Sequence, residues 1–349
     1  MTLTHGAEGQ HLYRLYLLGK SHIGLEREIN MKGYKAFKKG LICKNKKYAE
    51  NTIFKEPEAI PCECGMHFCK NPMDVFNYYG FISPNGEFTE FAEVEALDEP
   101  VTDDNKKYCS TKLKIYEKLS FEKFIDICIN SLIRNRQVEI GEIFSRGNCA
   151  QIGSFINSTK IISLGWESKI VNSGDYSQIK NLGRSSLIGN SGKHVQIKTK
   201  GHCVQIRNSG DYSQIEGLGN FSRIGNSGNG AQIIYSGYRS KIINYGDSTK
   251  ITSYRDSTKI RNYGDFANIT SYGDFAEINS VGKQSVICCF GNYARVKAKK
   301  GSYITLSNWE YREGKKESKY EITEYVDGVR IKEDTFYTLK NGEFVEVEV

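Results

Sequence analysis

The chain has 349 residues, with 48 lysines and arginines, 41 aspartates and glutamates and a formal net charge of +7. This length allows two or three domains, and because no apolar run approaches ~20 residues we expect no transmembrane helix and no membrane partner. No apolar signal-peptide core is evident either, so we expect the ten cysteines to be reduced thiols of a cytoplasmic protein.

Residues 1–30 do not resemble the beginning of a domain. Their apolar stretch Leu15–Leu18 is short and surrounded by His, Arg and Glu, whereas Met31 directly precedes the first predicted strand. We therefore interpret residues 1–30 as an extension that is not native, with Met31 as the natural start.

Residues 31–135 predict an α+β domain. A short helix is expected at 72–79, and Ser120 is a suitable cap for a helix over 121–134, whose apolar residues have helical spacing. We expect this second helix to lead into the next domain and to cover its first coil. Four segments have strand character: 33–37, 65–69, 88–97 and 112–117.

A dense group of metal-ligating residue types lies inside this domain. Cys62, Cys64, His67 and Cys69 follow one another within eight residues as C-x-C-x-x-H-x-C. A structural zinc site normally uses two ligand pairs separated by a loop. We therefore expect buried thiols in a small core and no metal.

Residues 136–306 are dominated by isoleucine at one interval. Isoleucine occupies every ninth position from Ile143 to Ile287 without a miss, and Val296 closes the series. Such a fixed period is typical of stacked backbone coils. Glycine usually lies five residues before each isoleucine, where we expect a corner that needs positive φ or close backbone approach.

A second period of 18 residues lies within the first. Asparagine follows the isoleucine by two residues at Asn172, Asn190, Asn208, Asn226, Asn244 and Asn262. Two nine-residue units therefore make one coil, and the sequence predicts a mainly β fold built on a two-sided β-solenoid. Asparagines at equivalent corners are expected to form a ladder of amide hydrogen bonds.

The positive charge is concentrated in the solenoid. Residues 141–300 carry 21 basic and 10 acidic residues, whereas residues 301–349 carry 7 and 11. Equivalent positions stack into stripes, and a cationic stripe attracts nucleic acid or another polyanion. The alternative is that these side chains only keep a repetitive β surface soluble. The candidate stripe consists of Lys180, Lys198, Arg207, Arg223, Lys241, Lys250, Lys259 and Arg261.

Residues 307–349 predict a small β-hairpin cap on the far end of the solenoid. Asp327-Gly328 and Asn341-Gly342 are both dipeptides that favour tight hairpin turns. Aromatic residues of this region, from Trp309 to Phe344, can form a small core.

Two resemblances bear on function. Gly33–Phe37, Gly65–Tyr79 and the segment Ile331–Tyr337, arranged around a nonapeptide array, resemble uncharacterised proteins of bacteriophages and prophages. This resemblance covers residues 31–349 and implies an origin in a mobile element, in the cytoplasm of a bacterial host or in the virion.

The order of Gly65–Phe68, Tyr78-Tyr79 and Phe91–Leu97 is similar to ADP-ribosyltransferases of the poly-ADP-ribose polymerase type. The resemblance implies NAD as cofactor, with His67 in place of a strand tyrosine and Tyr78 or Tyr79 stacking on nicotinamide. The family's first-strand histidine and catalytic glutamate have no clear counterparts here.

The sequence therefore predicts a non-catalytic binding or structural protein, in which a rigid solenoid presents an irregular N-terminal recognition domain. Such a protein would need no cofactor, and its partner would be a protein or a polyanion. Two alternatives stay open: an ADP-ribosyltransferase or NAD glycohydrolase on a repeat stalk, and nucleic-acid binding by the basic solenoid face. The solenoid geometry is also compatible with a homo-oligomer.

Overall fold

The computed structural model describes residues 30–133, 141–312 and 315–348. The interpretation of residues 1–30 concerns a segment that, except for Asn30, lies outside this range. In the described part of the chain, no helix combines the length and the apolar character needed to span a membrane.

The N-terminal domain is built on a seven-stranded antiparallel sheet. A 3₁₀ helix spans Pro72–Asn77 and helix α1 spans Phe121–Ile133. The strands of this domain are β1 (Met31–Phe37), β2 (Ile42–Cys43), β3 (Lys46–Lys47), β4 (Thr52–Lys55), β5 (Met66–Cys69), β6 (Glu90–Ala96), β7 (Val101–Thr102), β8 (Lys107–Ser110) and β9 (Lys112–Leu119). Their order in the sheet is β4-β9-β6-β1-β5-β8-β7. The four predicted strand segments correspond to β1, β5, β6 and β9, so the α+β prediction is confirmed.

Helix α1 begins where Ser120 was expected to cap it. The Ser120 carbonyl accepts from the backbone N–H of Phe124, and its hydroxyl accepts from that of Lys123. The apolar side of α1 packs against the sheet, where the rings of Phe124 and Phe91 stack with their centres 3.9 Å apart. The helix also contacts three successive coils along the side of the solenoid. The prediction that it covers the first coil is therefore only partly right, because it lies along a lateral face.

The solenoid has about nine turns, and each strand pairs in parallel with the strand 18 residues further on. One sheet, named here the docking sheet, consists of β11 (Gln151–Ser154), β13 (Lys169–Asn172), β15 (Leu187–Asn190), β17 (Gln205–Asn208), β19 (Arg223–Asn226), β21 (Lys241–Asn244), β23 (Lys259–Asn262), β25 (Glu277–Ser280) and β27 (Arg295–Lys297). The opposite sheet consists of β10 (Glu142–Ser145), β12 (Lys160–Ser163), β14 (Gln178–Asn181), β16 (Gln196–Thr199), β18 (Gln214–Gly217), β20 (Gln232–Tyr235), β22 (Lys250–Ser253), β24 (Asn268–Ser271) and β26 (Val286–Cys289).

The two sheets share a thin core of isoleucines that are almost all fully buried. At one corner the predicted amide ladder is present: Asn172 Nδ2 donates to Asn190 Oδ1 at 2.8 Å, and the pattern continues to Asn262. Each amide also donates to a glycine carbonyl of its own corner, as Asn208 does to Gly210 at 2.9 Å. The ladder therefore satisfies buried backbone groups that the strands leave unpaired.

The corner glycines are needed for close approach. A Cβ added at Gly183 would lie 1.7 Å from the carbonyl oxygen of Gly165 in the preceding coil. Positive φ occurs two residues later, at ordinary residues such as Ser185 (φ 56°) and Tyr212 (φ 54°). The left-handed conformation costs about 1 kcal/mol per residue, and the bond from the Tyr212 N–H to the Asn229 carbonyl in the next coil helps to offset it.

Two hairpins end the solenoid. Strand β28 (Tyr303–Arg312) continues the opposite sheet and pairs with β29 (Lys315–Tyr325), while β30 (Phe336–Lys340) pairs with β27 and with β31 (Glu343–Val347). The Asn341-Gly342 hairpin turn is confirmed, with φ of 52° and 83°. The Asp327-Gly328 prediction is wrong, because these residues join β29 to β30 across the two sheets and the Asp327 carboxylate caps three backbone N–H groups.

The close approach at the corners predicts that alanine substitutions of different corner glycines lower the stability of the solenoid by different amounts. Gly183→Ala forces a Cβ into backbone of the preceding coil, and we expect the Tm to fall, with a loss of about 3 kcal/mol. Gly147→Ala is the matched control, because Gly147 occupies the same corner of the first coil and a Cβ there would lie 4.0 Å from its nearest neighbour. Thermal unfolding followed by circular dichroism would contradict this account if both variants lost the same stability.

Candidate functional site

The N-terminal domain is anchored to the docking sheet by basic side chains. Four of them donate to backbone carbonyls of the segment 82–89, which crosses the strands of the sheet. The pairs are Arg207 to Thr89 at 2.7 Å, Arg223 to Ile82 at 3.4 Å, Lys241 to Pro84 at 2.8 Å and Arg261 to Asn85 at 3.1 Å. These contacts span four successive coils, so the solenoid supports this segment along its length.

Arg207 is the central anchor of this interface. Its guanidinium carbon lies 4.4 Å from the centre of the Phe88 ring and 4.1 Å from that of Phe121. Burial lowers the pKa of Arg207 to about 10, which keeps it charged at neutral pH. Gly189 and Gly225 provide the space for the aromatic rings, since a Cβ at Gly225 would lie 2.3 Å from Phe88.

The eight residues of the candidate basic stripe do not form one stripe. Lys180, Lys198 and Lys250 lie on the opposite sheet, and the other five lie on the docking sheet. Besides the four anchors, Lys259 pairs with Glu277 and Lys198 pairs with Glu216, each at 2.9 Å. The prediction of a single cationic face is therefore wrong, because the coil alternates between two faces every nine residues.

A cavity of about 210 Å³ lies within the N-terminal domain. It brings together His67, Tyr78 and Tyr79, together with Cys62 and Cys69, while Cys64 is not among its lining residues. The other lining residues are Tyr34, Lys35, Ala36, Cys43, Lys44, Phe68, Val75 and Lys107. Strand β5, the 3₁₀ helix and strand β1 position most of these side chains.

His67 is held as a neutral imidazole. Its Nε2 accepts a hydrogen bond from the backbone N–H of Cys62 at 3.1 Å. Burial lowers the pKa of His67 to about 4, and the positive charges of Lys35, Lys107 and Lys44 add to the effect. Protonation would remove the acceptor and place a positive charge beside the three lysines of the cavity.

The two tyrosines have different surroundings. Tyr79 is half-buried, and its Oη lies 3.2 Å from Cys43 Sγ; burial raises the pKa of Tyr79 well above its usual value. Tyr78 is exposed, donates to Asp104 at 3.1 Å and lies under the Lys107 ammonium, which is 4.9 Å from the ring centre. Tyr79 therefore forms an inner wall of the cavity, and Tyr78 forms a wall that is more accessible to solvent.

Lys35 is a lining residue of the cavity that the sequence did not indicate. Its side chain is only 5% exposed, and its Nζ donates to the His67 carbonyl at 2.5 Å. Burial lowers its pKa. The alternation of β1 is the signal that could have found it, because Gly33, Lys35 and Phe37 share one face and all three are buried.

The cysteine cluster differs in part from its predicted character. Cys69 is buried, and burial raises its pKa to about 12, but Cys62 is exposed, so the prediction of buried thiols is wrong for Cys62. Cys62 Sγ accepts from Lys107 Nζ at 2.9 Å. Throughout residues 30–133, 141–312 and 315–348, no three His, Cys, Asp or Glu side chains are grouped closely enough to hold a metal ion.

Comparison with known proteins places a domain family on this part of the chain. Residues 31–127 match the family described as a domain of unknown function, DUF7666. The match includes every residue that lines the cavity. No curated protein and no solved structure matches the chain.

The neutral state of His67 predicts how the stability of the protein depends on pH. The unfolded histidine binds a proton near pH 6.5 and the folded one only near pH 4, so its contribution to stability is fully present above pH 6.5 and is lost as the pH falls towards 4. We expect His67→Gln to flatten the fall in Tm between pH 7 and pH 4. His194→Gln, at an exposed solenoid corner, is the control, and a slope unchanged by His67→Gln would refute the assignment.

The anchoring of the N-terminal domain makes a second prediction. Arg207→Ala removes a guanidinium packed between two rings and its bond to Thr89, and we expect a loss of about 2–3 kcal/mol. Amide hydrogen exchange should become faster in α1 and in residues 82–89, while the coils remain protected. Lys180→Ala, at the equivalent position of the opposite sheet, should change neither the stability nor the amide exchange of these segments. Equal effects of both variants would contradict an anchoring role.

Proposed function

We propose that the protein is a non-catalytic binding protein, in which the solenoid is a rigid support and the N-terminal domain makes the specific contact. The observation that carries this proposal is the cavity. All of its lining residues belong to the N-terminal domain, while the solenoid contributes anchoring side chains elsewhere on that domain. A preformed concave site on a firmly held domain is the usual arrangement for recognition.

The chemistry of the lining supports binding more than catalysis. A general base is most effective when its pKa lies near the working pH, whereas His67 has a pKa of about 4 and its Nε2 is occupied by the Cys62 N–H. Burial also raises the pKa values of Tyr79 and Cys69, so neither becomes a nucleophilic anion near neutral pH. The residues that line the cavity are therefore suited to hold a ligand.

An NAD-dependent enzyme is the second candidate. It is favoured by one observation, namely that His67, Tyr78 and Tyr79 line the same cavity. Two others weigh against it: the lining residues include no carboxylate, and about 210 Å³ is small beside the roughly 300–1,000 Å³ of pockets for larger ligands. Among the residues that line the cavity, none replaces the glutamate that the family uses for ADP-ribosyl transfer.

Nucleic-acid binding by the solenoid receives less support than the sequence suggested. Four of the eight candidate cations bind carbonyls of the N-terminal domain, and two more pair with glutamates.

An origin in a phage or prophage rests on the motif resemblance. It would place the protein in the bacterial cytoplasm or in the virion, and mass spectrometry of purified virions can distinguish these locations.

Partner capture by the full chain tests the binding proposal. We expect Tyr78→Ala, which alters an accessible wall of the cavity, to reduce the capture of a specific partner at least tenfold without changing the Tm. Lys250→Ser, on an exposed position of the opposite sheet, should leave capture intact. The opposite result, with capture lost only in Lys250→Ser, would assign recognition to the solenoid and refute the proposal.

An NAD hydrolysis assay separates the two candidates. We expect the full chain to release no nicotinamide from NAD above the rate of a buffer blank. Release that disappears in both His67→Gln and Tyr79→Phe, with the fold intact, would instead establish the enzymatic alternative.

A further inference from the structure

We propose that the cavity binds a small carboxylate with an apolar body, and that the Lys35 ammonium is the group that neutralises the carboxylate. This inference rests on the proposed binding function and names the chemistry of its ligand. It follows from the surroundings of Lys35, from the other groups in the cavity and from the cavity's size.

Among the described residues, Lys35 is a buried amine with no carboxylate paired to it. Its exposed fraction is 5%, and its Nζ contacts the His67 carbonyl and lies 5.6 Å and 5.4 Å from the ring centres of Phe37 and Tyr48. Among the ion pairs of the described residues, none includes Lys35. Burying an unpaired charge is costly, and an anion entering the cavity would reduce that cost.

The neighbouring groups are complementary to a carboxylate. Tyr79 Oη and Cys43 Sγ lie 3.2 Å apart in the same cavity, and Cys43 also hydrogen-bonds with Lys35. Lys44 and Lys107 line the cavity as well, whereas its lining residues include no aspartate or glutamate. The cavity therefore combines hydrogen-bond donors with a positive potential, which favours an anion over a neutral or cationic ligand.

The walls and the volume restrict the rest of the ligand. Ala36, Phe68 and Val75 provide apolar surface beside the aromatic rings. A volume of about 210 Å³ accepts a compact group such as a short aliphatic chain or one aromatic ring. Lys35 is the buried one of the three lining lysines, so a carboxylate matches its charge, whereas a phosphate dianion would need a second cation from Lys44 or Lys107.

Two sources share this chemistry. The ligand is either a free small acid or the carboxyl terminus of a protein whose last side chain is apolar. Benzoate represents the first source, and the tripeptide Ala-Ala-Phe with a free terminus represents the second. Benzamide and the amidated tripeptide have the same shapes without the charge.

The test is a titration of the full chain with these probes, followed by thermal shift and by amide chemical shifts. We expect benzoate to raise the Tm and to shift amides of β1 and β5, while benzamide at equal concentration does neither. Lys35→Met, which keeps the length of the side chain, should weaken benzoate binding at least tenfold. Lys32→Met is the matched control on the exposed face of the same strand and should bind benzoate within twofold of the wild type.

The inference is overturned if benzamide binds as well as benzoate, if Lys35→Met retains benzoate affinity, or if the shifted amides lie outside the cavity. The location of the shifts is measured on the wild-type chain, so it decides the question even if Lys35→Met does not fold. Tighter binding of Ala-Ala-Phe than of benzoate, lost on amidation, would identify a protein terminus; the reverse order would identify a free acid. Persistent Tyr78-dependent partner capture without carboxylate binding would refute this inference and leave the proposed function standing.

Discussion

The structure depends on the parallel pairing of each residue in the solenoid with the residue 18 positions further along the chain. This pairing stacks identical chemical groups at the spacing of neighbouring β-strands, about 4.8 Å. Isoleucine then contacts isoleucine, asparagine donates to asparagine, and a corner glycine lies against the glycine carbonyl of the preceding coil. An insertion of one residue would disrupt all three sets of contacts together, which explains why the repeat has no irregular coil between Ile143 and Ile287.

The regular coils provide an interface for a domain that has no repeat of its own. Basic side chains from four successive coils of the docking sheet donate to backbone carbonyls of the segment 82–89. Apolar residues of the sheet, such as Val171 and Ile243, join the same buried cluster as Phe81 and Phe124. The N-terminal domain thus shares a core with the solenoid face that it covers, and the two parts act as one support for the cavity.

The cavity is defined by positive charge in apolar surroundings. Lys35 is buried in the centre of the sheet, and its charge, with those of Lys107 and Lys44, contributes to the lowered pKa of His67. The Cys62 N–H bond to His67 requires the same neutral imidazole. Burial, together with the three lysines, therefore holds His67 neutral, and the same apolar and basic surroundings suit the carboxylate ligand proposed above.

The sequence by itself determined the two-sided solenoid, because strict periods of 9 and 18 residues relate positions that must stack whatever the rest of the chain does. It also determined four strands of the N-terminal domain, its capped helix and the Asn341-Gly342 turn, since these depend on local patterns, whereas five other strands of that domain were not predicted. Only the tertiary structure decided which sheet the N-terminal domain covers, that Arg207 anchors it and that Lys35 is buried beside His67. Those features arise from contacts between residues far apart in the chain, for which a local pattern contains no information. A lysine in a short strand and an arginine in a repeat are expected to be exposed, because the segments that bury them lie far away in the chain.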